Sequence, residues 1–200
     1  VLAWPGNHSD DAGSYGARIV SFDSAGTQQC DNWLVHGGEW AYFCTPGVPD
    51  LAVSSKGDGF LAVWATPGSN SCPHEDWGGA ISDGAEPGIA GRLASLSDCA
   101  TSESTIVNSF SPGAQGGPSV AALLDGRFVV GWAGTVSSAD GTTAGVATRK
   151  VLADGTLVGE DTTISSLNVS KYAGSLSLGT LSEDYWVAAW SGGTDYQDDR

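Results

Sequence analysis

A tryptophan closing a short apolar run appears four times in this chain, at Trp4, Trp64, Trp132 and Trp190. The runs read Val1-Leu2-Ala3-Trp4, Phe60-Leu61-Ala62-Val63-Trp64, Phe128-Val129-Val130-Gly131-Trp132 and Trp186-Val187-Ala188-Ala189-Trp190. They recur at intervals of roughly 60 to 70 residues, the period of a stacked array or propeller built from short strands. A repeat unit of that kind cannot bury its apolar face alone and needs neighbours on either side. Each Trp run is therefore expected in the middle of a sheet, packed against adjacent sheets.

Turn chemistry divides the third copy into strands. Ser119 to Leu124 reads as one strand, ended by Asp125-Gly126, and Arg127 to Trp132 as the next. A polar loop is expected over 133–144, then a strand from Gly145 to Leu152, an Asp154-Gly155 turn, and a fourth strand from Thr156 to Ser166. The same frame fits elsewhere. Asp58-Gly59 precedes the Trp64 strand, Pro49 and Pro118 each introduce a first strand, and Gly16 to Thr27 aligns without gaps on Gly145 to Thr156. Arg92 falls in register with Arg149, and the second copy carries an insertion after Trp64.

Four antiparallel strands per repeat describe a propeller blade. The expected fold is all-β, with four-stranded antiparallel blades forming a propeller section of about three blades. The approximate repeats are 1–47 (partial), 48–117, 118–172 and 173–200 (partial). This division makes the chain a section of a longer protein, with the remaining blades of the same precursor among its expected partners. The absence of any Met fits that expectation.

Composition narrows the setting. Twenty-nine glycines, 40% hydrophobic residues and only 16% charged residues suit a turn-rich β protein. Eight basic against 23 acidic residues give a formal charge of −15. Nucleic acid is excluded as a partner, because phosphate neutralisation needs clustered Lys and Arg. No apolar run is long enough to cross a bilayer as a helix, so no membrane insertion is expected.

Four cysteines, Cys30, Cys44, Cys72 and Cys99, in a Gly-rich, Lys-poor chain point to an oxidising compartment, and the lack of a Cys-x-x-Cys pair argues against zinc. Strands folding back around His36-Gly37-Gly38 would bring Cys30 opposite Cys44, leaving Cys72 for Cys99. This is one of three possible connectivities. Asn7-His8-Ser9 and Asn168-Val169-Ser170 fit the N-glycosylation pattern. A secreted or cell-surface protein is expected.

Pro118-Ser119-Val120-Ala121, Asp125 to Trp132, Tyr15-Gly16-Ala17-Arg18-Ile19 and Asp154 to Gly159 carry a family likeness. They resemble the Trp-containing repeats of large secreted and surface proteins of bacteria, including myxobacterial and haemolysin-type proteins. The resemblance implies an extracellular β-propeller-like array and brings no catalytic residues with it.

Function is expected on the loops that differ between copies. In an up-and-down blade, the loop after the second strand and the connection to the next blade share one end, and the tight Asp-Gly turns share the other. The first end would collect His74, Glu75, Asp76 and Trp77 of the insertion, with Trp40, as candidate ligand-binding residues. Asp10, Asp11, Asp140 and Asp195 are candidate Ca²⁺ ligands, since calcium takes several oxygens, although the EF-hand spacing is missing. Calcium is thus the one cofactor to consider. An exposed Trp40 or Trp77 could stack on a sugar.

Enzymatic chemistry has thin support. Glu75 and Asp76 are adjacent, a poor arrangement for two carboxylates flanking a glycosidic bond. The arginines a sialidase would gather are limited to Arg18, Arg92, Arg127, Arg149 and Arg200, and Ser138-Ala139-Asp140-Gly141 only partly echoes an Asp-box. No Gly-x-Ser-x-Gly elbow occurs. The expected role is an extracellular structural or adhesive module, not an enzyme, binding an extracellular protein or glycan through its long-loop end. A glycan-binding lectin is the alternative, and behind it a carbohydrate-active enzyme.

Overall fold

A computed structural model of the protein describes residues 2–7, 15–36, 49–66, 87–98, 100–138, 141–165 and 176–191. Among these, all regular structure is β-strand, in four antiparallel sheets. The first sheet holds β1 (Leu2–Asn7), β2 (Tyr15–Phe22) and β3 (Gln28–His36). The second holds β4 (Asp50–Val53), β5 (Gly59–Ala65), β6 (Ile89–Ser95) and the short β7 (Thr105–Ile106). The third holds β8 (Gln115–Ala122), β9 (Phe128–Ser138), β10 (Gly141–Val151) and β11 (Leu157–Ser165). The fourth holds β12 (Leu176–Thr180) and β13 (Trp186–Trp190). Neighbours in every sheet are sequence neighbours, and among the described residues no barrel closes. This is the up-and-down order of a propeller section.

The Trp runs of β5 and β9 are continuous rather than alternating because these two strands are buried on both faces. All five residues from Phe60 to Trp64 are at most 3% exposed. Phe60, Ala62 and Trp64 share one cluster with Ile19 of the first sheet. Leu61 and Val63 share another with Val120, Phe128, Val130 and Trp132 of the third. On the far side of the third sheet, Ala133 and Val146 meet Leu176, with Ala188 against them. A Cβ at Gly131 would lie 3.0 Å from the Leu176 side chain and 3.2 Å from that of Leu178. Glycine stands here where the second sheet has Val63, and the missing side chain admits both leucines.

The hairpins repeat one turn. The Leu123 amide donates to the Arg127 carbonyl, the Gly126 amide donates to the Leu123 carbonyl, and Gly126 sits at φ 92°. Leu152, Gly155 and Thr156 repeat the pattern, with Gly155 at φ 88°. This is a three-residue loop ending in a left-handed residue, where glycine avoids the Cβ clash.

Three expectations are corrected. The polar stretch 133–144 is mostly ladder: β9 and β10 pair from Phe128↔Val151 out to Ser138↔Gly141. Thr135 and Val136 favour strand, and Val136 is buried against the second sheet, so packing outweighs the polar look of the stretch. Pro118 lies inside β8 rather than before it, and the β8–β9 register shifts between Gly116 and Ser119. A bulge at that point absorbs a residue with no N–H to give. Trp64 and Trp132 are core residues, but Trp190 on β13 is 36% exposed, so the fourth Trp run does not share their burial.

Candidate functional site

The insertion after Trp64 leaves the second sheet through a clamped neck. The Thr66 amide donates to the Gly88 carbonyl at 2.8 Å, and the Gly88 amide donates back to Thr66 Oγ1 at 2.9 Å. Thr66 and Gly88 are both buried. Beside them runs the connection from β7 to β8, where the Gln115 amide donates to the Pro87 carbonyl at 2.7 Å.

That connection is fixed by buried amide side chains, each with its hydrogen bonds made. Asn108 Oδ1 accepts from the Ile89 amide at 2.7 Å. Asn108 Nδ2 donates to the Phe110 carbonyl at 3.1 Å and to Gln115 Oε1 at 3.2 Å. Gln115, 2% exposed, donates from Nε2 to the Gly113 carbonyl at 2.6 Å. From the third sheet, Asp161 accepts the Ser109 and Phe110 amides, each at 2.9 Å. Arg149 Nη1 donates to the Val107 carbonyl at 2.7 Å. Three backbone groups of one connector are thus held by side chains reaching in from distant strands.

The opposite end of the stack is stitched turn to turn. Ser55 Oγ donates to the Leu124 carbonyl at 3.0 Å, and Arg127 Nη2 donates to Asp184 Oδ1 at 2.8 Å. The Asp184 and Asp125 carboxylates hold the Arg127 guanidinium above its ordinary range. Hydrogen bonds from the Ala100 and Thr156 amides hold Asp98 and Asp154 below the usual carboxylate range.

The ligand candidates Trp40, His74, Glu75, Asp76 and Trp77 lie outside the described residues. So do the candidate calcium ligands Asp10, Asp11, Asp140 and Asp195, together with Cys44, Cys72, Cys99 and Asn168. Asn7 is the last residue of β1, paired with Tyr15. Cys30 stands opposite Ser21, whose Oγ is 2.8 Å from Cys30 Sγ and donates to the Leu96 carbonyl in the turn that follows β6. Among the described residues no three His, Cys, Asp or Glu side chains come together as a metal site.

The three arginines whose side chains are described sit in separate places. Arg92 donates to Ser104 Oγ, burial pushing its guanidinium below the usual range; Arg127 serves the turns; Arg149 holds the connector. They do not gather around one point.

Asn108, Gln115 and Asp161 carry the connector and escaped the sequence reading. Each is a single polar residue with no motif around it, and the Asp161 contacts span about 50 positions of chain. A second open surface was also missed, a groove of about 400 Å³ between the outer strands of the third sheet and Trp186. No family model, curated protein or solved structure matches the chain.

Proposed function

We propose that the chain is an extracellular structural and adhesive module, a propeller section that presents the 67–86 insertion and its neighbouring connections to a protein partner. The observation that carries this reading is the clamped neck at Thr66 and Gly88, set beside a connector fixed by Asn108, Gln115 and Asp161. A long insertion leaving a rigid scaffold is the usual arrangement of a binding loop. The resemblance to bacterial surface repeats and the cysteine usage support the secreted or surface placement. The Cys30–Cys44 and Cys72–Cys99 pairings, glycosylation at Asn7 and Asn168, and calcium in the acidic loops belong to the same reading.

The test replaces residues 67–86 with a short Gly-Ser turn and measures adhesion of protein-coated beads to intact bacterial cells. Adhesion should fall to background while the melting temperature stays within about 4 °C of a Cys72→Ser/Cys99→Ser control, which lacks the same proposed pairing. Adhesion that survives the replacement contradicts the proposal. Binding to a glycan array that depends on 67–86 would instead make the partner a saccharide.

A further inference from the structure

We propose that the outer face of the third sheet and the open edge of β13 form one acceptor site for an antiparallel β-hairpin of the type this chain repeats. The second sheet shows how such a face is covered. Leu93 on β6 packs into the cluster that contains Val151 of β10 and Leu157 of β11. At the same contact, a Cβ on Gly155 would lie 3.0 Å from Leu93 Cδ1. A third and fourth strand thus lie over the third strand of the sheet before.

On the opposite face of the third sheet, Lys150 and the β11 residues Val158 and Thr162 have no such cover among the described residues. Cross-strand pairing sets Lys150 beside Val158 and Thr148 beside Thr162 on that face. Val158 is 42% exposed. These four, with Glu160 and the indole of Trp186 as a wall, line the groove of about 400 Å³. The other half of the face is closed, since Leu176 and Ala188 meet Ala133 and Val146 there.

The sheet edge beside the groove is also unpaired among the described residues. β5 pairs with β4 and β6, and β9 pairs with β8 and β10, whereas β13 pairs with β12 alone among the described residues. An open strand edge is a template for another strand. A strand added there antiparallel, in the manner of β10 on β9, would lie over Lys150, next to the already buried Thr148. A fourth would lie over Val158.

The contact between the second and third sheets sets the chemistry of the occupant. β10 presents Ala147 and Val151 to the sheet before it. The hairpin therefore needs small and aliphatic residues at alternate positions over Val158, with a hydroxyl or carboxylate to meet Lys150. A second copy pairing β13 with β13 does not fit. Residues opposite each other in an antiparallel pair point to the same face, so the copy's third sheet would fall where β10 and β11 already lie. This surface is separate from the 67–86 insertion.

The test joins a second stretch of sequence 141–165 to the full chain through a flexible Gly-Ser linker after Arg200. Amide hydrogen exchange is read at 186–190. Exchange there should slow about tenfold or more relative to the unextended chain. The substitution Val158→Glu should abolish the slowing while leaving the melting temperature of the unextended chain within about 2 °C. Unchanged exchange in the extended chain overturns the proposal, as does slowing that survives Val158→Glu. Slowing produced by an oligosaccharide mixture and not by the hairpin overturns it too, and makes the groove a sugar site.

Discussion

Asp50 and Ser119 occupy the same position on the first strands of neighbouring sheets, and they are joined. Asp50 Oδ2 accepts from Ser119 Oγ and from the Val120 amide, each at 2.9 Å. Ser119 Oγ in turn accepts from the Leu178 amide of the fourth sheet at 3.2 Å. One carboxylate and one hydroxyl therefore link three sheets along their first strands. Interdigitated apolar side chains hold the sheets face to face, and these directional bonds add a fixed link between their first strands.

The connector clamp is expected to be costly to break. Gln115→Leu keeps the volume but leaves Asn108 Nδ2 and the Gly113 carbonyl without this partner. The loss should be about 1–3 kcal/mol, read by urea unfolding. Exchange at the amides of 109–114 should rise along with it. A change below about 0.5 kcal/mol would show that the amide pair does not hold the connector.

Much of the architecture was legible because the signals that carry it are local. The Trp runs and the glycine-ended turns set the all-β class and the four-stranded antiparallel sheets without knowledge of any partner. Reading failed where a distant contact decides. Thr135 and Val136 look like loop until Val136 is seen against the second sheet. Asp161 looks like an ordinary strand-surface residue until the Ser109 and Phe110 amides arrive at it. The candidate site was legible only as an insertion of unusual composition; its neck depends on Thr66 and Gly88, which nothing in the local pattern singles out.

Gly126→Ala tests the turn. The nearest atoms to a Cβ there are the flexible end of Lys56, so crowding is minor and the positive φ dominates. A loss of about 1–2 kcal/mol is expected. The same substitution at Gly116, where nothing crowds a Cβ and φ is not positive, should cost less than half as much.

Gly131→Val tests the packing of the third sheet on the fourth. The added side chain meets Leu176, Leu178 and Thr148. Overpacking should cost about 1–3 kcal/mol. Fluorescence of the fourth-sheet tryptophans Trp186 and Trp190 should change with it, and unaltered emission would argue against that contact.

Acid should weaken the turns. Asp154 sits below the usual carboxylate range because it accepts the Thr156 amide, at 2.9 Å. A depressed folded-state value means its contribution is present above the ordinary range and is lost as pH falls through the lower value. The stability gap between the native chain and Asp154→Ala should therefore be full at pH 6 and shrink below about pH 4. A gap that is constant from pH 6 to pH 2 would rule out the carboxylate as its source.

The inter-sheet link can be measured alone, with the double-mutant cycle of Asp50→Ala and Ser119→Ala in urea unfolding. Stacked sheets tied along their first strands predict that the two losses fail to add, with a coupling energy of about 0.5–3 kcal/mol. Losses that add to within about 0.3 kcal/mol would contradict the stacked arrangement at its central contact.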